Sequence, residues 1–188
     1  MNSIFSWLAV HFDLPILDWI AQHLHCAFGD AVMPVITALG NAGLFWIVCA
    51  ATLLCFPRHR RAGIAAGLAL VMGFVLCNLI LKELTARPRP YDYQFTHFGK
   101  VISILIPKPS DFSFPSGHTI ASFEVATVLM LHDRKMGIPA MVLAVLIAVS
   151  RLYLYVHYPT DVLFSVVLGI GIGALGSYLA GQVYKTKE

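Results

Sequence analysis

Five stretches of this chain stay apolar for long enough to cross a lipid bilayer, and short polar segments separate them. A crossing takes about 20 apolar residues, somewhat fewer where neighbouring helices shield the span. On that measure the stretches fall at 35–56, 62–81, 116–131, 138–156 and 162–180. The segment before them is different. His11, Asp13, Asp18, Gln22, His23 and His25 interrupt its apolar run, while Ile16, Leu17, Ile20 and Leu24 keep helical spacing. That pattern predicts an amphipathic helix lying in the membrane interface. It makes a poor signal peptide, because a basic leader and a clean apolar core are both missing. The expected fold is therefore an all-α integral membrane protein of about five transmembrane helices plus an N-terminal interfacial helix. It forms a single domain over 1–188, with the interfacial part at 1–32 and the membrane core at 33–184. The one long connection runs from 89 to 114, and a loop of that length usually carries function.

Composition removes the main alternatives. With 58% hydrophobic and 12% charged residues and a mean hydropathy of +0.75, the chain is too apolar for an ordinary soluble domain. The net charge of +3 comes from dispersed residues, with no basic run longer than Arg60-Arg61, so no nucleic-acid footprint is present. Cys26, Cys49, Cys55 and Cys77 show neither pairing nor metal-type spacing, and the last three lie inside apolar segments.

Three polar clusters interrupt this background: Lys82 to Pro90 (KELTARPRP), Pro115 to His118 (PSGH) and Ser150 to Asp161 (SRLYLYVHYPTD). Lys82 and Arg89 form a pair of cations at the end of the second span, the latter in a turn stiffened by Pro88 and Pro90. They suit a phosphate dianion, although cations snorkelling at span ends are common. Pro115-Ser116-Gly117-His118 opens the third span, where free N–H groups and the helix dipole favour an anion. Pro-Ser-Gly is also ordinary turn chemistry. The His118 imidazole can donate a proton near neutral pH. Arg151 can fork two phosphoryl oxygens. His157 and Asp161 stand four residues apart, as in a histidine whose tautomer is fixed by a carboxylate, and Asp161 is equally placed to cap the fifth span.

In order and spacing these clusters read Lys-(six residues)-Arg-Pro, Pro-Ser-Gly-His and Ser-Arg-(five residues)-His-(three residues)-Asp. They resemble the three motifs of the type 2 phosphatidic acid phosphatase superfamily. The resemblance covers 82–161 by motif and the rest by hydropathy alone. It implies that His157 attacks phosphorus to give a phosphohistidine, that Asp161 orients it, and that His118 protonates the leaving group and later activates water. Lys82, Arg89, Ser116, Gly117 and Arg151 would bind the phosphate. The family needs no metal or other cofactor, and the sequence holds no carboxylate cluster suited to a divalent ion. The implied substrate is a lipid phosphate or pyrophosphate drawn from the membrane. Small size and a bare catalytic core favour undecaprenyl pyrophosphate, with phosphatidylglycerophosphate and phosphatidic acid next. Two other classes remain: a lipid-to-lipid phosphotransferase, and a module using His118 and His157 as haem or metal ligands.

Charge then orients the chain. Of thirteen Lys and Arg residues, Arg58, Arg60, Arg61, Arg134, Lys135, Lys185 and Lys187 fall at one face, against Lys82, Arg87, Arg89, Lys100, Lys108 and Arg151 at the other. Setting aside Lys82, Arg89 and Arg151 as motif residues, the positive-inside rule puts the C-terminus in the cytoplasm. The motifs then face outward from a bacterial inner membrane. Glu124, an ionisable residue inside the third span, is a functional candidate or a structural one bonded to a partner such as Asn78 or a backbone group. Tyr91, Tyr93, Tyr153, Tyr155 and Tyr158 gather at the outer boundary as an aromatic belt or an entrance, and the run 101–106 is suited to dip into the interface.

Overall fold

The computed structural model describes residues 3–185, and among these there is no strand. The chain opens with a continuous helix made of α1 (Ser3–Leu8), a π-helical turn (Ala9–Asp13) and α2 (Leu14–His23). It continues through α3 (Ala27–Ala38), a 3-10 turn (Asn41–Gly43), α4 (Leu44–Cys55), α5 (Arg60–Phe74), a second π-helical turn (Val75–Leu81) and α6 (Lys82–Thr85). Then come α7 (Pro90–Phe98), α8 (Gly117–His132), α9 (Arg134–Tyr153) and α10 (Pro159–Lys185). Four helical stretches are long and apolar enough to cross a membrane, and the bent pair α3–α4 raises that to five. The protein is an all-α, multi-pass membrane protein.

The helix α8 is the hub, packed by α5, α9 and α10. From Thr119 to Leu129 all but Ala121 of its side chains are buried, which is why its sequence is apolar on every face. Enclosure also permits its length of 16 residues, short for a helix that would have to meet lipid alone. The outward faces of α5, α9 and α10 carry exposed Val71, Ile138, Val142 and Val167, the surface a bilayer solvates.

The structure corrects three local expectations. The stretch 35–56 is two helices, because the chain turns by 42° between α3 and α4 with Ala42 and Gly43 at positive φ. The connection 89–114 is helical at its start: Pro90 sits at the first position of α7, and Gly99, at φ 64°, ends it. The run 101–106 alternates, with Ile102, Ile104 and Ile106 packed on Tyr91, Tyr153, Leu154 and Val156, while Val101 and Leu105 face out. Those tyrosines, with Tyr93, Tyr155 and Tyr158, are buried, so they form an inner layer of this end instead of a lipid-facing belt.

The N-terminal helix, Ile4–His23, is one of those four stretches, whereas α8, at 16 residues, is not. The N-terminal helix thus satisfies the length and hydropathy of a span. Its contacts, however, all lie at one end of the bundle. Phe5 meets Phe114, Asp13 meets Arg87 and Thr160, and Asp18 meets Gln94, Lys100 and Tyr155. Phe5 and Asp18 are about 20 Å apart along the helix at 1.5 Å per residue, so the helix lies across that end as a strap.

Candidate active site

The same end of the bundle gathers all three polar clusters. The first follows α6, which stops at Ala86 in the left-handed region (φ 44°). Pro88 and Pro90 hold the residues before them extended, and side chains two apart in extended chain address one side. Arg87 and Arg89 accordingly both reach toward the third cluster. Arg89 donates from Nη1 to the Val156 carbonyl at 2.7 Å and stands 3.3 Å from His157 Nε2. Lys82, buried at the end of the π-helical turn, points into the same space, as does Asn78 one turn earlier.

Ser116 precedes α8, whose start no side chain caps. Gly117 and His118 line the cavity, and a Cβ on Gly117 would meet Asn78 and Cys77 in ordinary contact at 3.7 Å. Ser116 behaves differently from the expectation of a phosphate ligand. It is fully buried, its N–H donates to Ser165 Oγ at 2.8 Å, and its hydroxyl accepts from Thr119 Oγ1 at 3.0 Å. It anchors the helix start against α10. His118 is oriented by Asn41, whose Oδ1 lies 2.9 Å from Nε2. Because that oxygen only accepts, Nε2 carries the proton. Gly40 makes room for the ring, since a Cβ there would sit 2.6 Å from His118 Cδ2.

In the third cluster, Arg151 occupies the last turn of α9 and donates from Nη1 to Thr37 Oγ1 at 2.5 Å. The chain reverses through Tyr155 (φ 58°), and His157 follows, 1% exposed, with Pro159 opening α10. Asp161 sits behind the histidine. Its Oδ2 accepts from Ser113 Oγ at 2.5 Å and from the Tyr158 N–H at 3.1 Å, and faces His157 Nδ1 at 3.6 Å, while Oδ1 accepts from Arg87. Asp161 thus holds the backbone at the helix start and stands beside the ring, whose Nδ1 makes no hydrogen bond at this separation. Arg89 can only donate, so His157 Nε2 is the bare nitrogen and Nδ1–H faces the carboxylate. Burial, then the charges of Arg89, Arg151 and Lys82, keep His157 well below the ordinary imidazole range. The ring is therefore neutral at pH 7, with a lone pair aimed toward three cations.

Lys82, Arg89, Gly117, His118, Arg151 and His157 share one cavity of about 760 Å³. Away from the polar end it continues between α4 and α5 past Leu70, Gly67 and Ile47 to Gly63 and Leu54. Lys82 to Gly63 is about 28 Å of helix, close to the thickness of a bilayer core. Glu124 lines the same cavity, its Oε2 buried without a hydrogen-bond partner and seated over Gly73, where a Cβ would meet it at 2.1 Å. The expected bond to Asn78 is not formed. No group of three His, Cys, Asp or Glu side chains among the described residues converges as a metal set would.

Sequence reasoning missed five residues here. Arg87, fully buried, pairs with both Asp13 and Asp161 and lies over the Tyr158 ring at 3.8 Å. Asp111 pairs with Lys82 and Arg89. Asn41 and Thr37 brace His118 and Arg151. Asp13 registered only as a break in an apolar run.

The PAP2 superfamily model matches residues 62–185. The chain belongs to the PAP2 superfamily. Among proteins of this kind it is 31% identical over 151 residues to the undecaprenyl-diphosphatase BcrC of Bacillus subtilis, covering 80% of this chain and 75% of that one. It is 37% identical over 142 residues to an undecaprenyl-diphosphatase of Sulfolobus acidocaldarius, covering 75% of this chain and 64% of that relative's length. The crystal structure of a transmembrane PAP2-type phosphatidylglycerolphosphate phosphatase from Bacillus subtilis superposes with a TM-score of 0.71 at 28% identity, over 97% of this chain and 89% of that one. The protein is thus a membrane lipid phosphatase of the PAP2 type, a hydrolase of phosphate esters or anhydrides.

Proposed function

We propose that this protein removes the terminal phosphate of a lipid pyrophosphate or phosphate, undecaprenyl pyrophosphate foremost, through a phosphohistidine at the outer face of a bacterial inner membrane. The observation that carries this reading is the bare Nε2 of His157 at the polar end of a cavity whose other end is apolar and membrane-deep. A phosphoryl group held by Lys82, Arg89, Arg151 and the uncapped start of α8 at Gly117 has its charge balanced by those donors. His157 Nε2 then forms a bond to phosphorus as the bond to the lipid-side oxygen breaks, and His118, entering the step as an imidazolium with Nε2–H kept on Asn41, gives that oxygen its Nδ1 proton. Asp161 stabilises the ring while it carries the phosphoryl group. In the second half His118 takes a proton from water, the water oxygen bonds to phosphorus, and the P–N bond breaks to return neutral His157 and free phosphate.

The names of the relatives support a prenyl pyrophosphate, and the long slot between α4 and α5 suits a single extended chain. Phosphate release by detergent-purified protein from a panel of lipid mono- and pyrophosphates, with a soluble phosphoester as control, tests this. Preference for phosphatidylglycerophosphate over undecaprenyl pyrophosphate would replace the substrate, and release from no lipid would sink the reading.

Orientation rests on charge. Arg60 and Arg61 start α5, Arg134 and Lys135 start α9, and Lys185 ends α10, all at the end of the bundle away from the motifs, while Lys187 lies outside the described residues. The C-terminus is then cytoplasmic and the N-terminal strap, with Trp7 and Trp19 exposed, lies in the outer interface. In a cysteine-free background, a cysteine at Thr96 or Ser110 should react with an impermeant thiol reagent on intact cells stripped of any outer barrier, and one at His59 only after lysis. The reverse pattern would place the site in the cytoplasm.

A further inference from the structure

The two cations of the first motif do not stand free. Asp111 places one carboxylate oxygen on Lys82 Nζ and the other 2.5 Å from Arg89 Nη2, and its main-chain oxygen accepts from Arg89 Nε at 2.9 Å. Two oxygens on one central atom, each facing a cation, present the geometry that a phosphoryl group would offer to the same pair. The backbone around Asp111 is pinned on both sides. Tyr91 Oη donates to the Pro109 carbonyl at 2.9 Å, and the Ser113 N–H donates to the Arg87 carbonyl at 2.8 Å. The Asp111 side chain is 49% exposed, whereas those of Lys82 and Arg89 are 8% and 3% exposed. A side-chain rotation therefore frees Lys82 Nζ and Arg89 Nη2, while the loop stays in place and its Asp111 carbonyl keeps Arg89 Nε.

Asp111 also stands at a boundary. A second cavity of about 450 Å³, of mixed lining with Lys108 and Asp92 beside Tyr91 and Phe112, shares Arg89, Pro109 and Asp111 with the membrane-deep cavity as a common wall. We propose that Asp111 is a side-chain gate between the lipid slot and an outward vestibule that takes inorganic phosphate as it leaves. This rests on the phosphatase reading above. An arriving phosphoryl group displaces the carboxylate from Lys82 and Arg89. Once the P–N bond has broken, the carboxylate returns to the cations and competes the phosphate off outward, where Lys108 meets it. A tethered anion competes at a high effective concentration. Without it, a dianion on three buried cations would leave slowly, and product release is a common rate limit. Burial alone would raise the Asp111 carboxyl, but the hydrogen bonds and charges of Lys82 and Arg89 outweigh it and hold it below the usual carboxylate range, so the competitor stays anionic. The dephosphorylated lipid needs no such exit, since its slot already opens along α4 and α5.

The test uses the full-length protein in detergent with Asp111→Asn, Asp111→Glu and Ser110→Trp. Asp111→Asn should bind inorganic phosphate roughly tenfold more tightly, as the loss of two partly exposed ion pairs implies, and should lower KM and kcat together. Asp111→Glu restores the charge and should return phosphate affinity toward wild type. Ser110→Trp fills the vestibule while leaving Lys82, Arg89 and Asp111 themselves in place, and should lower kcat several-fold while the burst of phosphohistidine formation is unchanged. Equal phosphate affinity in wild type, Asn and Glu forms, measured by equilibrium dialysis without turnover, overturns the gate. Unchanged kcat in Ser110→Trp overturns the outward route. Phosphate binding to none of the proteins would instead count against the phosphatase reading itself.

Discussion

Arg87 and Arg89 lie two residues apart in one motif and live in opposite surroundings. Behind His157, Arg87 is wholly enclosed between two equally enclosed carboxylates, Asp13 and Asp161, with Phe5 and Tyr158 against its guanidinium. In front of it, Arg89 faces a cavity and is matched by a carboxylate that solvent reaches. A charge set that is complete inside the protein has nothing to exchange, so it fixes geometry. One completed by a half-exposed partner can trade that partner for a ligand. The same residue type therefore serves as frame on one side of the histidine and as grip on the other.

Substitutions can break this contrast in order of expected size. His157→Gln, between the two regions, should lower turnover by about 10⁴-fold or more with no change in thermal stability, because it removes the nucleophile. Activity within tenfold of wild type would end the phosphohistidine assignment. Next, Arg87→Ala leaves two buried carboxylates unmatched and should destabilise by about 3–5 kcal/mol, read as loss of folded, monodisperse protein on heating. Adding Asp13→Asn should recover part of it. Arg89→Ala should do the opposite: a fall in kcat/KM of about 10²–10³ at nearly unchanged melting temperature. Its loss also removes one of the charges that hold His157 neutral, so the acid limb of the pH profile should move to higher pH. If Arg87 and Arg89 variants lose stability equally, the division into frame and grip fails. Smallest, Asn41→Ala frees the His118 ring and should cost about tenfold or less. The penalty should be larger for lipid monophosphates than for pyrophosphates, whose leaving group needs a proton less.

The grip was largely legible in the sequence and the frame was not, for a physical reason. Lys82 to Arg89 and His157 to Asp161 are local spacings, and turn and helix geometry bring such residues together wherever the chain goes. Arg87 meets Asp13 across 74 residues, Arg151 meets Thr37 across 114, and His118 meets Asn41 across 77. Periodicity tells which face of a helix is buried and is silent on which residue of another helix faces it. The spans were visible as apolar runs, yet the bend between α3 and α4 was not, since both sides of it are apolar. Its Gly40 is required by the His118 ring, a neighbour no local window contains. Ser116 shows the converse: this motif position is buried beneath the cavity, bonded to Ser165 and Thr119.

The strap has a consequence for how the chain is made. Asp13 leaves the ribosome long before Arg87, and the Thr160 N–H that also binds it follows 147 residues later, about 7 to 30 s at ordinary elongation rates. Until Arg87 emerges, 74 residues after Asp13, the carboxylate has no counter-charge of its own, and an unmatched carboxylate is costly in hydrocarbon. The strap therefore cannot complete its docking until both Arg87 and Thr160 are made, and it closes over helices that follow it in the chain.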